Sequence, residues 1–135
     1  MKACSITLPW PPSGNHWHRT GGKNRYPAAR YVAWRQAATL LLRSAMAPVL
    51  GRYAFEIVAC PPDRRIRDLD NLLKPVGDAL QDTGVIENDH LVSHLQASWG
   101  PVRKGGVVFA RIRPFAGTAS VPAWATAIDS MAIAA

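Results

Sequence analysis

Eleven prolines cut this 135-residue chain into short stretches, and their positions decide what can fold between them. A proline has no N–H to give to a ladder and pushes the residue before it toward extended backbone. Residues 4–8, Cys-Ser-Ile-Thr-Leu, therefore form a short strand that stops at Pro9. The stretch from Pro9 to Pro27, with Pro11-Pro12-Ser13-Gly14-Asn15 and Gly21-Gly22, is expected as a long loop. Loops of that length in small domains are usually functional or mobile. From Ala28 to about Met46, Tyr31, Trp34, Ala38, Leu41 and Leu42 recur at helical spacing until Pro48 intervenes. Residues 53–60 are β-branched and aromatic, a strand closed by Pro61-Pro62. A helix follows over about 71–82, starting close to Asn71 because Pro75 is tolerated only in a first turn, and stopping at Gly84. Residues 91–99 and 107–113 are expected as two strands of an antiparallel hairpin, turning at Gly100-Pro101 and Gly105-Gly106. The order β-α-β-α-β-β predicts an α/β (α+β) fold: one domain over 1–114, a mixed β-sheet with helices packed on it. The tail, 115–135, is expected to be flexible or loosely docked.

No apolar run approaches the roughly 20 residues of a membrane span, and the early prolines interrupt any signal-peptide core. Cys4 and Cys60 lack CxxC spacing, so reduced thiols packed as small hydrophobes and a cytoplasmic location are expected. The formal charge is +7, but its distribution says more. Positions 63–89 hold seven of the nine carboxylates and four of the sixteen cations, a net of −3; the rest carries twelve cations and two carboxylates, a net of +10. An acidic island on a surface suited to phosphates would repel its ligand unless a divalent cation neutralised it. The alternative is a solvated helix whose acids pair with nearby arginines.

The chemistry concentrates in Arg67-Asp68-Leu69-Asp70-Asn71-Leu72-Leu73-Lys74 and in Asn88-Asp89. In an extended approach to a helix, Asp68 and Asp70 project to one side, and Lys74 lies one turn beyond Asp70. If the turn 84–87 returns the chain to this entrance, Asp89 adds a third oxygen. Such a set suits magnesium and phosphodiester hydrolysis, with Lys74 stabilising the transition state or leaving oxygen. The competing reading has Asp70 capping the helix and Asp68 paired with an arginine. Arg64, Arg65 and Arg67 can hold flanking phosphates or merely balance the acids. Lys23 and Arg25 are candidate phosphate contacts, and Asn15 is a turn or site residue. Ile66 either anchors its loop to the core or wedges between bases. Trp10 and Trp17 could stack on bases, whereas the other tryptophans are core candidates. Zinc is a poor fit: His16 and His18 flank Trp17, and His90 and His94 would lie about 13 Å apart on a strand.

Pro11-Pro12-Ser13-Gly14-Asn15, the arginine-rich approach to Asp68-Leu69-Asp70-Asn71-Leu72-Leu73-Lys74, Asp78-Ala79-Leu80, Gly84 and Asn88-Asp89 together resemble the RusA family of Holliday-junction resolvases, over about residues 5 to 113. The resemblance implies a homodimeric, magnesium-dependent endonuclease of phage or prophage origin, with manganese as a substitute ion and no small-molecule cofactor. It would nick two opposed strands of four-way junction DNA in recombination and repair. Asp68, Asp70 and Asp89 match the family's metal-binding aspartates and Lys74 its catalytic lysine. Asn88 departs from the Asp-Asp that the family often carries, so it can offer only a neutral amide oxygen. The competing functions are a non-catalytic branched-DNA-binding domain and a magnesium nuclease acting on other branched or single-stranded DNA.

Overall fold

The computed structural model describes residues 4–12, 18–21, 24–118 and 120–134. Its elements are β1 (Cys4–Pro9), β2 (His18–Gly21), β3 (Asn24–Pro27), α1 (Ala29–Ala45), β4 (Tyr53–Cys60), α2 (Leu73–Asp82), β5 (Val92–Trp99), β6 (Val107–Pro114) and α3 (Ala123–Ala134). Two single-turn 3-10 helices, Leu69–Leu72 and Asp89–Leu91, flank α2 in sequence.

Four strands form a mixed sheet in the order β1-β6-β4-β5. β6 runs antiparallel to both β1 and β4, and β5 is parallel to β4. The mixed sheet with packed helices agrees with the sequence expectation, but the hairpin does not form. β5 and β6 lie on opposite sides of β4, and the segment between them crosses the end of that strand. Its turn is fixed by Gly105 and Gly106, both at positive φ, and by the Arg103 N–H donating to the Pro61 carbonyl at 2.9 Å. A parallel β4–β5 pair needs a long crossover, and α2 with its flanking turns supplies it.

The region expected as a loop before Pro27 contains the β2–β3 hairpin instead. Gly21, Asn24 and Pro27 are depleted in strands and each strand is only four residues long, so composition gives no strand pattern here. The tail also carries regular structure, α3, although Trp124, Ile128 and Met131 remain largely exposed.

Helices α1 and α2 pack on one face of the sheet. Tyr31, Trp34, Ala38 and Leu42 are the buried stripe of α1; Leu41, expected inward, is partly exposed. The Trp34 indole N–H donates to the Pro9 carbonyl at 2.8 Å, fastening α1 to the end of β1. Val76, Ala79 and Leu80 of α2 are fully buried, and Pro75 sits in its first turn. Cys60 is buried and Cys4 half-buried, and neither is in a disulfide. Among the described residues no helix is long and apolar enough to cross a membrane.

Candidate active site

Contrary to the sequence expectation, Asp68 and Asp70 do not share one side of an extended approach. Asp68 has extended backbone and caps the first 3-10 helix, while Asp70 lies inside that helix. A 3-10 turn rotates about 120° per residue, so two residues two apart do not share a side as they would on a strand. Leu72 is buried and Leu69 packs against the core, which fixes the turn and leaves both aspartates exposed. Neither cap residue, Asp68 nor Leu72, makes a capping side-chain hydrogen bond, so the helix-cap alternative does not account for these carboxylates.

The return of the chain depends on Gly84, whose φ of 76° completes the α2 terminus. Val85 and Ile86 then enter the core, and Val85 accepts from the Val49 N–H at 2.7 Å. Glu87 accepts from the Gly51 N–H at 2.6 Å, and the Asn88 side chain accepts from the His90 N–H at 3.1 Å. Asn88 is thus a turn cap, a role its amide oxygen fills without charge.

Asp70, Lys74, Asp78 and Asp89 line one cavity of about 320 Å³, floored by Tyr53, Phe55, Leu73, Val92 and Leu95. Asp68 is not part of its wall. Two residues of this wall, Asp78 and Tyr53, had no assigned role from sequence. Asp78 holds the Lys74 ammonium at 3.3 Å, a partner legible as an i, i+4 pair. The Tyr53 hydroxyl donates to the Asp89 carbonyl at 3.4 Å, and burial, then the Asp89 charge, raises its pKa above 10.0. Nothing local in the sequence marks Tyr53, which arrives from β4.

The acids of the island divide into two groups. Asp63 pairs with Arg67 at 2.8 Å, Asp78 with Lys74, and Asp82 with Arg35. Among the described residues Asp68, Asp70, Glu87 and Asp89 have no cationic partner within ion-pair distance; Asp68 receives only the Asn71 amide at 3.5 Å. All three candidate ligands fall in the second group. No three His, Cys, Asp or Glu side chains among the described residues are clustered as a ready-made metal cage. Magnesium does not require one, because it keeps several waters and is usually bound by one or two carboxylates together with substrate phosphates. Asp70 and Asp89 on one cavity fit that pattern.

The arginine loop is part structural. Arg67 is held by Asp63 and stands 5.7 Å from the centre of the Trp10 ring, which stacks near Trp99 at 6.4 Å. Trp10 is thereby a packing residue rather than a free stacking platform, while Trp99 and Trp124, expected in the core, are exposed. Arg65 also contacts Asp63, whereas Arg64 has no ion-pair partner among the described residues. With Trp99 and Val102 these arginines line a groove of about 280 Å³. Ile66 at its edge is 100% exposed, which overturns the expectation that it anchors the loop. His90 lies in the second 3-10 turn and His94 in β5. Asn15, His16, Trp17 and Lys23 lie outside the described residues, and Arg25 is placed only as part of β3.

The family model described as endodeoxyribonuclease RusA matches residues 9–112. The crossover junction endodeoxyribonuclease RusA of Shigella sonnei strain Ss046 is 39% identical over 108 residues, covering 78% of this chain and 90% of that protein. The protein of the same name in Escherichia coli strain K12 is 38% identical, and that of Enterobacteria phage 82 is 36% identical, over the same shares. Matched by that family model over residues 9–112 and 39% identical to a relative over most of its length, this chain belongs to the RusA endodeoxyribonuclease family.

Proposed function

We propose that the chain is a magnesium-dependent endodeoxyribonuclease that nicks opposed strands of four-way DNA junctions as a homodimer, serving recombination and repair. The observation that carries this reading is that Asp70, Lys74 and Asp89, from two separate segments, line one cavity. Asp70 and Asp89 are the principal oxygen donors, with Asp68 the third. When bound, a divalent ion supplies Lewis-acid polarisation of the scissile phosphate and a lower pKa for the attacking water. Lys74, kept at the cavity by Asp78, places a positive charge where the leaving oxygen develops negative charge. The apolar floor of Phe55, Val92 and Leu95 lowers the local dielectric and strengthens that interaction. Arg64 and Arg65 hold neighbouring phosphates, and Ile66 offers an apolar tip that can enter a base step. Two copies are required because a symmetric junction presents two equivalent scissile phosphates.

The test replaces Asp70 with Asn and measures junction binding and junction nicking separately, at fixed salt because phosphate contacts are ionic-strength dependent. Nicking is expected to collapse while binding holds or tightens, since a charge that repels phosphate has gone. Equal, metal-independent nicking by both proteins refutes the assignment. Comparing a four-way junction with linear duplex, flaps and single strands separates a resolvase from a nuclease of broader substrate.

A further inference from the structure

Asp89 sits on a three-residue 3-10 turn whose own bonds, from the His90 N–H to the Asn88 side chain and from the Val92 N–H to the Asp89 carbonyl, do not engage the Asp89 N–H. Its backbone is held from outside as well. The Asp89 N–H donates to Oε1 of Gln81 at 3.0 Å, and its carbonyl accepts from the Tyr53 hydroxyl. Gln81 belongs to the last turn of α2 and Tyr53 to the start of β4. Both polar groups of one peptide segment are therefore tied to rigid elements, which restricts the direction of its Cα–Cβ bond. Lys74, Asp78 and Gln81 follow i, i+4, i+7 spacing and share one face of α2. The face that presents Lys74 to the cavity is thus the face that holds the loop bearing Asp89.

The geometry points to Gln81, assisted by Tyr53, as a positioning residue that sets Asp89 against Asp70 for ion binding. This inference rests on the proposed metal-binding role of Asp70 and Asp89. Gln81 touches neither substrate nor ion in this arrangement; it acts through the Asp89 main chain, as groups outside a metal's immediate ligands orient those ligands.

The experiment uses the full chain and three variants. Gln81→Met keeps the side-chain length but removes the acceptor oxygen, Gln81→Glu keeps an acceptor, and Tyr53→Phe removes only the hydroxyl. Because Gln81 is exposed, the variants at that position are expected to keep the parent melting temperature in EDTA. Magnesium affinity is read by titration calorimetry on DNA-free protein and by the magnesium concentration giving half-maximal nicking of a synthetic four-way junction. Gln81→Met is expected to weaken both about tenfold, with the rate at saturating magnesium within about twofold of the parent. Junction affinity in EDTA should not change, Gln81→Glu should restore ion affinity toward the parent value, and Tyr53→Phe should give a smaller loss of about threefold. If Gln81→Met matches the parent in both magnesium readouts while Asp70→Asn abolishes them, the Gln81 assignment alone is wrong. A parent that neither binds nor needs the ion overturns the reading of Asp70 and Asp89, and this inference with it.

Discussion

Gly106 and Gly84 make a matched pair for asking what holds the arginine loop in place. Both have positive φ, 70° and 76°, so alanine at either carries the left-handed penalty of about 1–2 kcal/mol. Their surroundings differ. A Cβ on Gly84 would meet nothing within 4 Å, whereas one on Gly106 would lie 2.8 Å from Trp10 Cβ, 2.9 Å from Trp10 Cγ and 3.0 Å from Pro62 Cδ. Two of those contacts are to the rigid root of a tryptophan, so the strand end or the indole must shift, adding an overpacking cost of about 1–3 kcal/mol. Gly106→Ala is therefore expected to destabilise by about 3 kcal/mol in all and Gly84→Ala by about 1 kcal/mol. For a chain of this size those figures correspond to about 10 °C and about 4 °C of melting temperature, measured by circular dichroism. Trp10 lies beneath the Arg67 guanidinium, so its displacement should also loosen the loop 63–67 and weaken junction binding in EDTA. Gly84→Ala, away from that loop, should bind normally. Equal loss of melting temperature in the two variants refutes the claim that Gly106 is excluded by close packing rather than by φ alone.

Other outcomes can be read with the same assays. Asp78→Asn removes an exposed i, i+4 ion pair worth about 0.3–0.5 kcal/mol, so the melting temperature should hardly move, while the freed Lys74 should lower the nicking rate. Ile66→Ser should leave stability within about 0.5 kcal/mol, because the side chain is fully exposed, and should reduce junction nicking through weaker binding or distortion of the DNA. Asp63 is held at a pKa of about 2, below its ordinary 3.8, by the Arg67 side chain and then the Arg65 N–H. A depressed carboxylate contributes stability above the unfolded pKa that is lost as pH falls through the folded one. Acid unfolding followed between pH 4 and 2 should thus be less steep in Asp63→Asn, and an identical pH profile would contradict the role given to Arg67.

What the sequence made legible were features with strong local causes. The α1 stripe of Tyr31, Trp34, Ala38 and Leu42, the strand over 53–60, Pro75 in a first turn and the glycine stop at 84 all follow from periodicity or backbone chemistry, and all recur in the fold. Strand pairing was not legible in this way. Adjacent strands joined by a glycine-rich segment usually pair, yet β4 lies between β5 and β6, because sheet order depends on which apolar faces can share the core with α1 and α2. Asp70, Lys74 and Asp89 could be assembled from spacing and a guessed turn, and they do line one cavity. Asp68 could not be placed, since its side depends on whether two residues are extended or in a 3-10 turn. Tyr53 and Gln81 were hidden because they act through contacts 36 and 8 residues away in sequence, without any motif.

The division of the acidic island gives the candidate site its physical logic. A carboxylate that must meet a metal ion cannot be neutralised by a resident guanidinium, since displacing such a partner would cost part of the binding energy gained. The chain places its nearby cations on other acids: Arg67 on Asp63, Lys74 on Asp78 and Arg35 on Asp82. Those pairs are exposed or partly exposed and contribute little individually to stability, so their arrangement is better explained by where they leave charge than by how much they stabilise. They leave negative charge on Asp70 and Asp89, which line one cavity with Lys74, and on Asp68, which directly follows the arginines of a groove otherwise suited to phosphate. Without an ion, that charge opposes the polyanion the surrounding surface attracts; with one, attraction extends across the whole face. On this view binding of the ion and of DNA should be positively coupled, each raising the affinity for the other by the same factor as linkage requires. Titrating the junction into the Lys74→Ala variant, to prevent cleavage, should therefore show tighter binding with magnesium than without it at matched ionic strength. Equal affinity would mean the island lies away from the DNA.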